Sequence, residues 1–471
     1  MKNIFFFLLT CSFIVSNTLT AQVSLPSVFS DNMVLQRDSD IKIWGWGKRG
    51  SKLIIIPSWS KDSIQVQVTG DGTWKANVKT LSAGGPHSIN FINAGKSSQI
   101  ANILFGEVWL CSGQSNMEWG AQNKLQEMLD EIKKPKNENI RLLHVNRAGS
   151  ANPQDNFFGK WELATNERLK EFSAIGYFIA QKLNKELNVP IGIISANIGG
   201  TNAEVWTPEY SIVREKELLA DALTFKPHKS RPTRYAASWN AMLNPLKGYT
   251  LAGFYWYQGE SNVDNYKNYG RLMSTLVKAW REEWKDSKLP FYFVQIAPYK
   301  YSQSTKEEQK GALLREQQES LLTLPNTGMV VVSDLVPDVT DIHPSYKREV
   351  ANRLANIALA EKYNQHMKDY KSPVYRSHTV RDNEIIIEFY NVLDGLIIKD
   401  GKSIKELVVA GEDNLYKIVD ARVDDNKLIV STKNIRNPKS LLFSFSDTGI
   451  SNLFTKTGLP VAPFRISINN K

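Results

Sequence analysis

The stretch Gly106-Glu-Val-Trp-Leu-Cys-Ser-Gly-Gln-Ser-Asn-Met-Glu-Trp119 sets a short apolar run against a Gly-x-Ser turn and then a helix-like start. An apolar run too short for a buried helix reads as a strand covered on both faces. The same texture returns downstream in IRLLHV (140–145), IGIISAN (191–197), LAGFYWYQ (251–258), FYFVQI (291–296) and GMVVVSD (328–334). Helix-length periodic stretches separate these runs: Leu272, Leu276, Trp280 and Trp284 share one face, and Val350, Leu354 and Ile357 another. Strand and helix in alternation over residues 104–363 predict an α/β domain with a parallel sheet and helices on both faces. In such sheets ligands bind beyond the carboxyl ends of the strands.

Outward from this centre the pattern changes. Residues 22–103 hold IKIWGWG, KLIIIPSW, SIQVQVTGDGTW and HSINFINAG, with period-two alternation and an Asp71-Gly72 turn, and so read as a small β-sandwich. Residues 364–471 return to β texture in EIIIEFYNV, ELVVAG, KLIVSTK and LLFSFSD, a C-terminal β-domain. Residues 1–21 carry one Lys, an apolar run from Ile4 to Val15 and small polar residues up to Ala21. That layout predicts a secretory signal cut before Gln22, and the run is short of the roughly 20 residues a spanning helix needs. The expected product is exported, periplasmic or extracellular, with no membrane insertion once the signal is removed.

With the signal gone Cys111 is the one cysteine left, so stability must come from packing. The formal charge of +10 is spread among acids without a dense basic block or a nucleic-acid motif, so no nucleic-acid partner is expected. No His-Glu-x-x-His, Cys-x-x-Cys, phosphate loop or dinucleotide glycine pattern is present, and the reading calls for no metal and no cofactor. Nothing in the sequence sets an oligomeric state.

Hydrolysis without a metal needs a nucleophile, a base and an oxyanion site. Ser115 follows a strand and Gly113, where backbone N–H groups converge; a serine capping a helix is the plainer alternative. Gly199 and Gly200 after the IGIISAN strand allow close backbone approach. Gln258, Glu260 and Asn262 follow the next strand and suit a polar pocket floor. Of six histidines, His343 lies on a strand-end loop that Pro344 keeps out of helical geometry, which makes it the candidate base. Trp119 and Trp206 stand just beyond two strand ends and are candidates to stack on a sugar ring, with burial in the core as the alternative.

Taken together, GQSNMEW, the NIGGT loop with EVW, SWNAMLNPL, WYQGESN, DIHP and NLFTKTGLPVAPFR resemble the sialate O-acetylesterase family of the SGNH hydrolases, a group related to acetylxylan esterases. The segments span most of the chain in the family's order. The resemblance implies an SGNH-type sheet flanked by β-domains, Ser115 as nucleophile and His343 as base. It implies that Gly199 and Gln258 join the Ser115 N–H in the oxyanion hole. Asp341 is expected as the acid that orients His343, although Thr340 stands where the superfamily often has Asp; Glu260 is the rival, and a dyad without an acid is the third arrangement. An acetylated sugar or glycan is the implied substrate. An acetylxylan esterase and a non-catalytic carbohydrate-binding protein are the other readings.

Overall fold

The computed structural model describes residues 23–302, 309–401 and 403–468. The signal expected over residues 1–21 lies outside them. No described helix is long and apolar enough to cross a membrane.

Seven strands form the central path: β1 (Lys96–Gly113), β2 (Ile140–His144), β3 (Trp161–Leu163), β4 (Ile191–Asn197), β5 (Gly253–Tyr257), β6 (Phe291–Val294) and β7 (Thr327–Val330). Their spatial order is β7-β6-β5-β1-β4-β2-β3. Every pairing along this path is parallel except that of edge strand β3 with β2. β1 is therefore central, and the chain lays β2, β3 and β4 on one side of it before crossing to lay β5, β6 and β7 outward on the other. That reversal of direction at β1 is the kind of switch point beside which open α/β sheets place their sites.

Helices cover both faces. On one, α2 (Ala174–Leu187) and α5 (Lys347–Glu361) pack over Trp109, Cys111, Tyr255 and Tyr257. On the other, α3 (Tyr269–Trp284) and α4 (Lys310–Glu319) pack over Leu110, Phe254 and Trp256. Neighbouring strand residues thus feed opposite cores, as strand alternation requires. Trp280 anchors the second core, its indole N–H donating to the Trp206 carbonyl at 2.9 Å.

The boundary expected between residues 103 and 104 falls inside β1. Its first half pairs antiparallel with Gly84–Asn93, while its second half is the middle of the parallel sheet, so one strand joins both regions in an 11-stranded sheet. The change of texture seen in the sequence is a change of pairing partner along one strand. C-terminally, two four-stranded antiparallel sheets enclose their own core around Ile385, Val409, Leu428 and Phe443. This region docks on α4 through Asp447, whose carboxylate accepts the Gly311 N–H at 2.8 Å.

Candidate active site

β1 ends at Gly113, whose φ of +137° is open to glycine, and a Cβ there would lie 2.2 Å from the Tyr257 carbonyl oxygen. Gln114 then stays extended, its N–H bonded to Tyr257 O at 3.0 Å, and its own carbonyl caps the N–H groups of Met117 and Glu118. Ser115 opens the one-turn helix α1 (Ser115–Glu118) at the carboxyl end of the sheet. At this position its N–H has no intrahelical acceptor.

His343 arrives from the opposite side of the sheet's switch point. The loop after β7 is anchored at its root by Arg353, which donates to both Asp334 oxygens at 2.8 and 2.7 Å. It ends at buried Pro344 before α5 begins. The His343 Nε2 lies 2.9 Å from Ser115 Oγ, although 228 residues separate the two in sequence. Trp119 stacks on the imidazole, with ring centroids 3.8 Å apart and planes at 19°. Burial, then the Lys347 ammonium, hold the imidazole below its ordinary pKa, with Asp341 opposing them. A base whose neutral form is favoured in this way is ready to take a proton.

Asp341 Oδ1 stands 3.9 Å from His343 Nδ1 and accepts the His343 backbone N–H at 2.8 Å. Its carboxylate is 60% exposed, so it is a solvated neighbour of the ring rather than a buried one. Glu260, the rival, is buried and turns to Asn116: Asn116 Nδ2 donates to Glu260 Oε1 at 2.6 Å and to the Ile342 carbonyl at 3.0 Å. Lys347 Nζ completes the cluster by donating to Asn116 Oδ1 at 2.6 Å. Burial drives both ionisable members towards neutrality, lowering Lys347 to about 7 and raising Glu260. Asn116 and Lys347 were not singled out in the sequence. The signals available were their positions, one directly after the nucleophile candidate and the other at the first turn of the helix that follows the base candidate.

Gly199 abuts the serine, since a Cβ on it would sit 3.4 Å from Ser115 Cβ. Its N–H is donated to Glu118 Oε2 at 2.9 Å, and Glu118 Oε1 takes Arg147 Nε at 2.6 Å. Burial raises the Glu118 pKa against the pull of Arg147 and this N–H.

Three expected site residues have other surroundings. Gln258 is fully buried, and Nε2 donates to Thr201 O at 3.1 Å and Asn262 Oδ1 at 2.7 Å, which uses both amide hydrogens and leaves none for an oxyanion. Asn262 is also buried, donating to Glu204 Oε1 and Oε2 at 3.1 and 2.9 Å and accepting the Ala203 N–H; it ties two loops together instead of facing a sugar. Trp206 is wholly buried with its N–H on Thr201 Oγ1, so the core reading holds for it. Trp119 alone of the two tryptophans is partly exposed beside Ser115.

These features sit in a chain with clear relatives. The family model described as carbohydrate esterase, sialic acid-specific acetylesterase, matches residues 106–363. The sialate O-acetylesterase of Homo sapiens is 28% identical over 393 residues, covering 74% of this chain and 72% of the human protein. That of Mus musculus is 28% identical over 415 residues, covering 74% and 75%. Among solved structures, a carbohydrate acetylesterase from Xanthomonas citri superposes with a TM-score of 0.87 at 29% identity, over 95% of this chain and 100% of that one. Since the family match extends over more than half of its length, this chain belongs to the carbohydrate esterase family of sialic acid-specific acetylesterases and is an esterase.

Proposed function

We propose that the protein is an exported sialate O-acetylesterase that cleaves sugar acetyl esters through an acyl-enzyme on Ser115. The observation that carries this reading is the 2.9 Å contact of Ser115 Oγ with His343 Nε2 at the carboxyl end of a parallel sheet.

In this mechanism His343 accepts the Ser115 hydroxyl proton as Oγ attacks the acetyl carbonyl, a contribution of about 10² to 10⁴ in rate. The developing oxyanion is held by the Ser115 N–H and by the Gly199 N–H once the Glu118 carboxylate yields it. Imidazolium then protonates the departing sugar oxygen, and water attacks the acetyl-serine with His343 again as base. Trp119 fixes the ring plane through both steps, and Asp341 is the carboxylate that faces the imidazolium. The N-terminal apolar run supports export, and the mature protein would begin at Gln22.

Purified protein offered acetylated sialic acids should release acetate, and Ser115→Ala should abolish release. Intact-mass analysis of a rapidly quenched reaction should find one added acetyl group, located on the Ser115 peptide. Release without that adduct in any quench, and undiminished in Ser115→Ala, would reject the serine mechanism. N-terminal sequencing of the exported protein checks the cut.

A further inference from the structure

Directly beyond the double glycine lies a cleft of about 560 Å³ that no part of the catalytic proposal uses. Its lining includes the basic side chains of Arg147, His228, Lys229, Arg231 and Arg234, with no Asp or Glu among the lining residues. Arg147 is paired with Glu118 at 2.6 Å, and Arg234 is within 3.8 Å of Glu209. Arg231 is different: its Nη1 meets His228 Nε2 at 3.3 Å, and no carboxylate among the described residues forms an ion pair with it. Gly200, at φ +70°, lies under its guanidinium, and a Cβ there would come within 3.1 Å of Nη1. The charge is therefore presented one residue beyond Gly199, which itself touches Ser115.

The walls of the cleft are held in place. Asn240 donates to the carbonyls of Ser150 and Ala151 at 3.2 and 3.1 Å, and Ser150 N–H returns to Ala237 O at 3.0 Å. The SWNAMLNPL segment, unexplained by the chemistry at Ser115, thus braces from behind, through Asn240, one wall of a preformed basic recess. An arginine fork facing such a recess is suited to a carboxylate, which it binds through two parallel charge-assisted hydrogen bonds.

We propose that this recess is the subsite for the carboxylate of an acetylated sugar acid, with Arg231 as its direct ligand. The inference rests on the esterase reading and deepens it: the substrate carries a negative charge on the same sugar whose acetyl ester reaches Ser115. Neutral acetylated sugars lack the group that Arg231 binds.

The experiment compares a free O-acetylated sialic acid, its carboxyl methyl ester, a neutral acetylated xylo-oligosaccharide and p-nitrophenyl acetate, in the wild type and in Arg231→Gln. The free acid is expected to exceed its methyl ester about tenfold in kcat/KM, through KM, and Arg231→Gln is expected to erase that preference. Equal kcat/KM for acid and methyl ester with both the sialic acid and an acetylated uronic-acid fragment, or equal losses in the variant on every compound, would overturn the subsite. A wild type inert towards all four, p-nitrophenyl acetate included, would overturn the esterase reading and the subsite with it. A fragment bearing acetyl groups and a uronic acid separates the two sources of carboxylate: Arg231-dependent preference there and not with the sialic acid keeps the subsite and changes the sugar.

Discussion

The side-chain amide of Asn116 donates to the carbonyl of Ile342 at 3.0 Å, so the residue after Ser115 holds the residue before His343. The same amide binds Glu260, and its oxygen receives Lys347. Proximity of hydroxyl and imidazole is thus enforced from below by a buried polar knot. Asn116→Ala removes the centre of that knot and leaves a buried carboxylate and amine without their partner, at a cost of about 1–3 kcal/mol or more. We expect a lower urea midpoint and a fall in kcat on p-nitrophenyl acetate of at least about tenfold, because a small misplacement of the base is costly. Wild-type kcat in a folded Asn116→Ala protein would remove the knot from the positioning of His343.

Asp341 faces the imidazole from 3.9 Å while exposed to water, and its nearer bond is to the His343 backbone. Asp341→Asn should therefore reduce kcat/KM by about 10- to 10²-fold, short of the roughly 10⁴ lost when a buried triad aspartate is neutralised. The pH profile supplies a second reading. Because burial and Lys347 lower the His343 pKa while Asp341 raises it, the acid limb of kcat/KM should lie below pH 6.5 and move lower still in Asp341→Asn. A variant limb displaced to higher pH contradicts this electrostatic assignment.

The two residues of the nucleophile–base pair were legible because each follows an apolar strand, and strand ends on one sheet edge converge whatever their separation in sequence. Pro344 further marked His343 as a loop residue. What the strand end could not disclose was side-chain direction. Phe254 and Trp256 face the α3 core and Tyr255 and Tyr257 the α5 core, so Gln258 continues the α3 face, where the Tyr269 hydroxyl meets its Oε1 at 2.9 Å. Asn262 follows it inward to donate to buried Glu204, which also accepts from Asn202, and Trp206 is held in the core with its N–H on Thr201 Oγ1. The knot at Asn116 was invisible for another reason: Asn116 and Lys347 are ordinary in their own segments, and only the tertiary fold brings them to Glu260. The continuous β1 likewise hid the junction between regions, since the strand carries on through Asn102, at φ +56°, and Gly106 without ending.

Gln258 offers a direct check on that argument. As an oxyanion donor its loss would cost about 10²- to 10³-fold in turnover. With both amide hydrogens on Thr201 O and Asn262 Oδ1, Gln258→Ala should instead show mainly as instability of about 1–3 kcal/mol, with turnover of the folded fraction reduced less than about tenfold. Chemical denaturation and active-site titration together separate the two effects. A stable variant with a hundredfold lower kcat would restore Gln258 to the oxyanion hole.

Lys347 gives the last prediction, in stability rather than rate. Burial lowers its pKa from 10.5 to about 7 in the folded protein, whereas the unfolded chain keeps the ordinary value. Between these two pH values the unfolded state holds a proton that the folded state has released, so the free energy of unfolding rises with pH across the window. Below it both states are protonated and the full cost of the buried charge is felt. Glu260, with its raised pKa, works in the opposite sense, but from the ordinary carboxylate value upward. Lys347→Met removes the amine's share, so the wild type should gain on the variant as pH climbs from about 7 towards 10.5. Urea midpoints of both proteins at pH values across that window measure the difference, in which titrating groups not coupled to Lys347 cancel. A difference that stays constant with pH means Lys347 keeps its proton in the folded state, and Asn116 then holds an ammonium throughout.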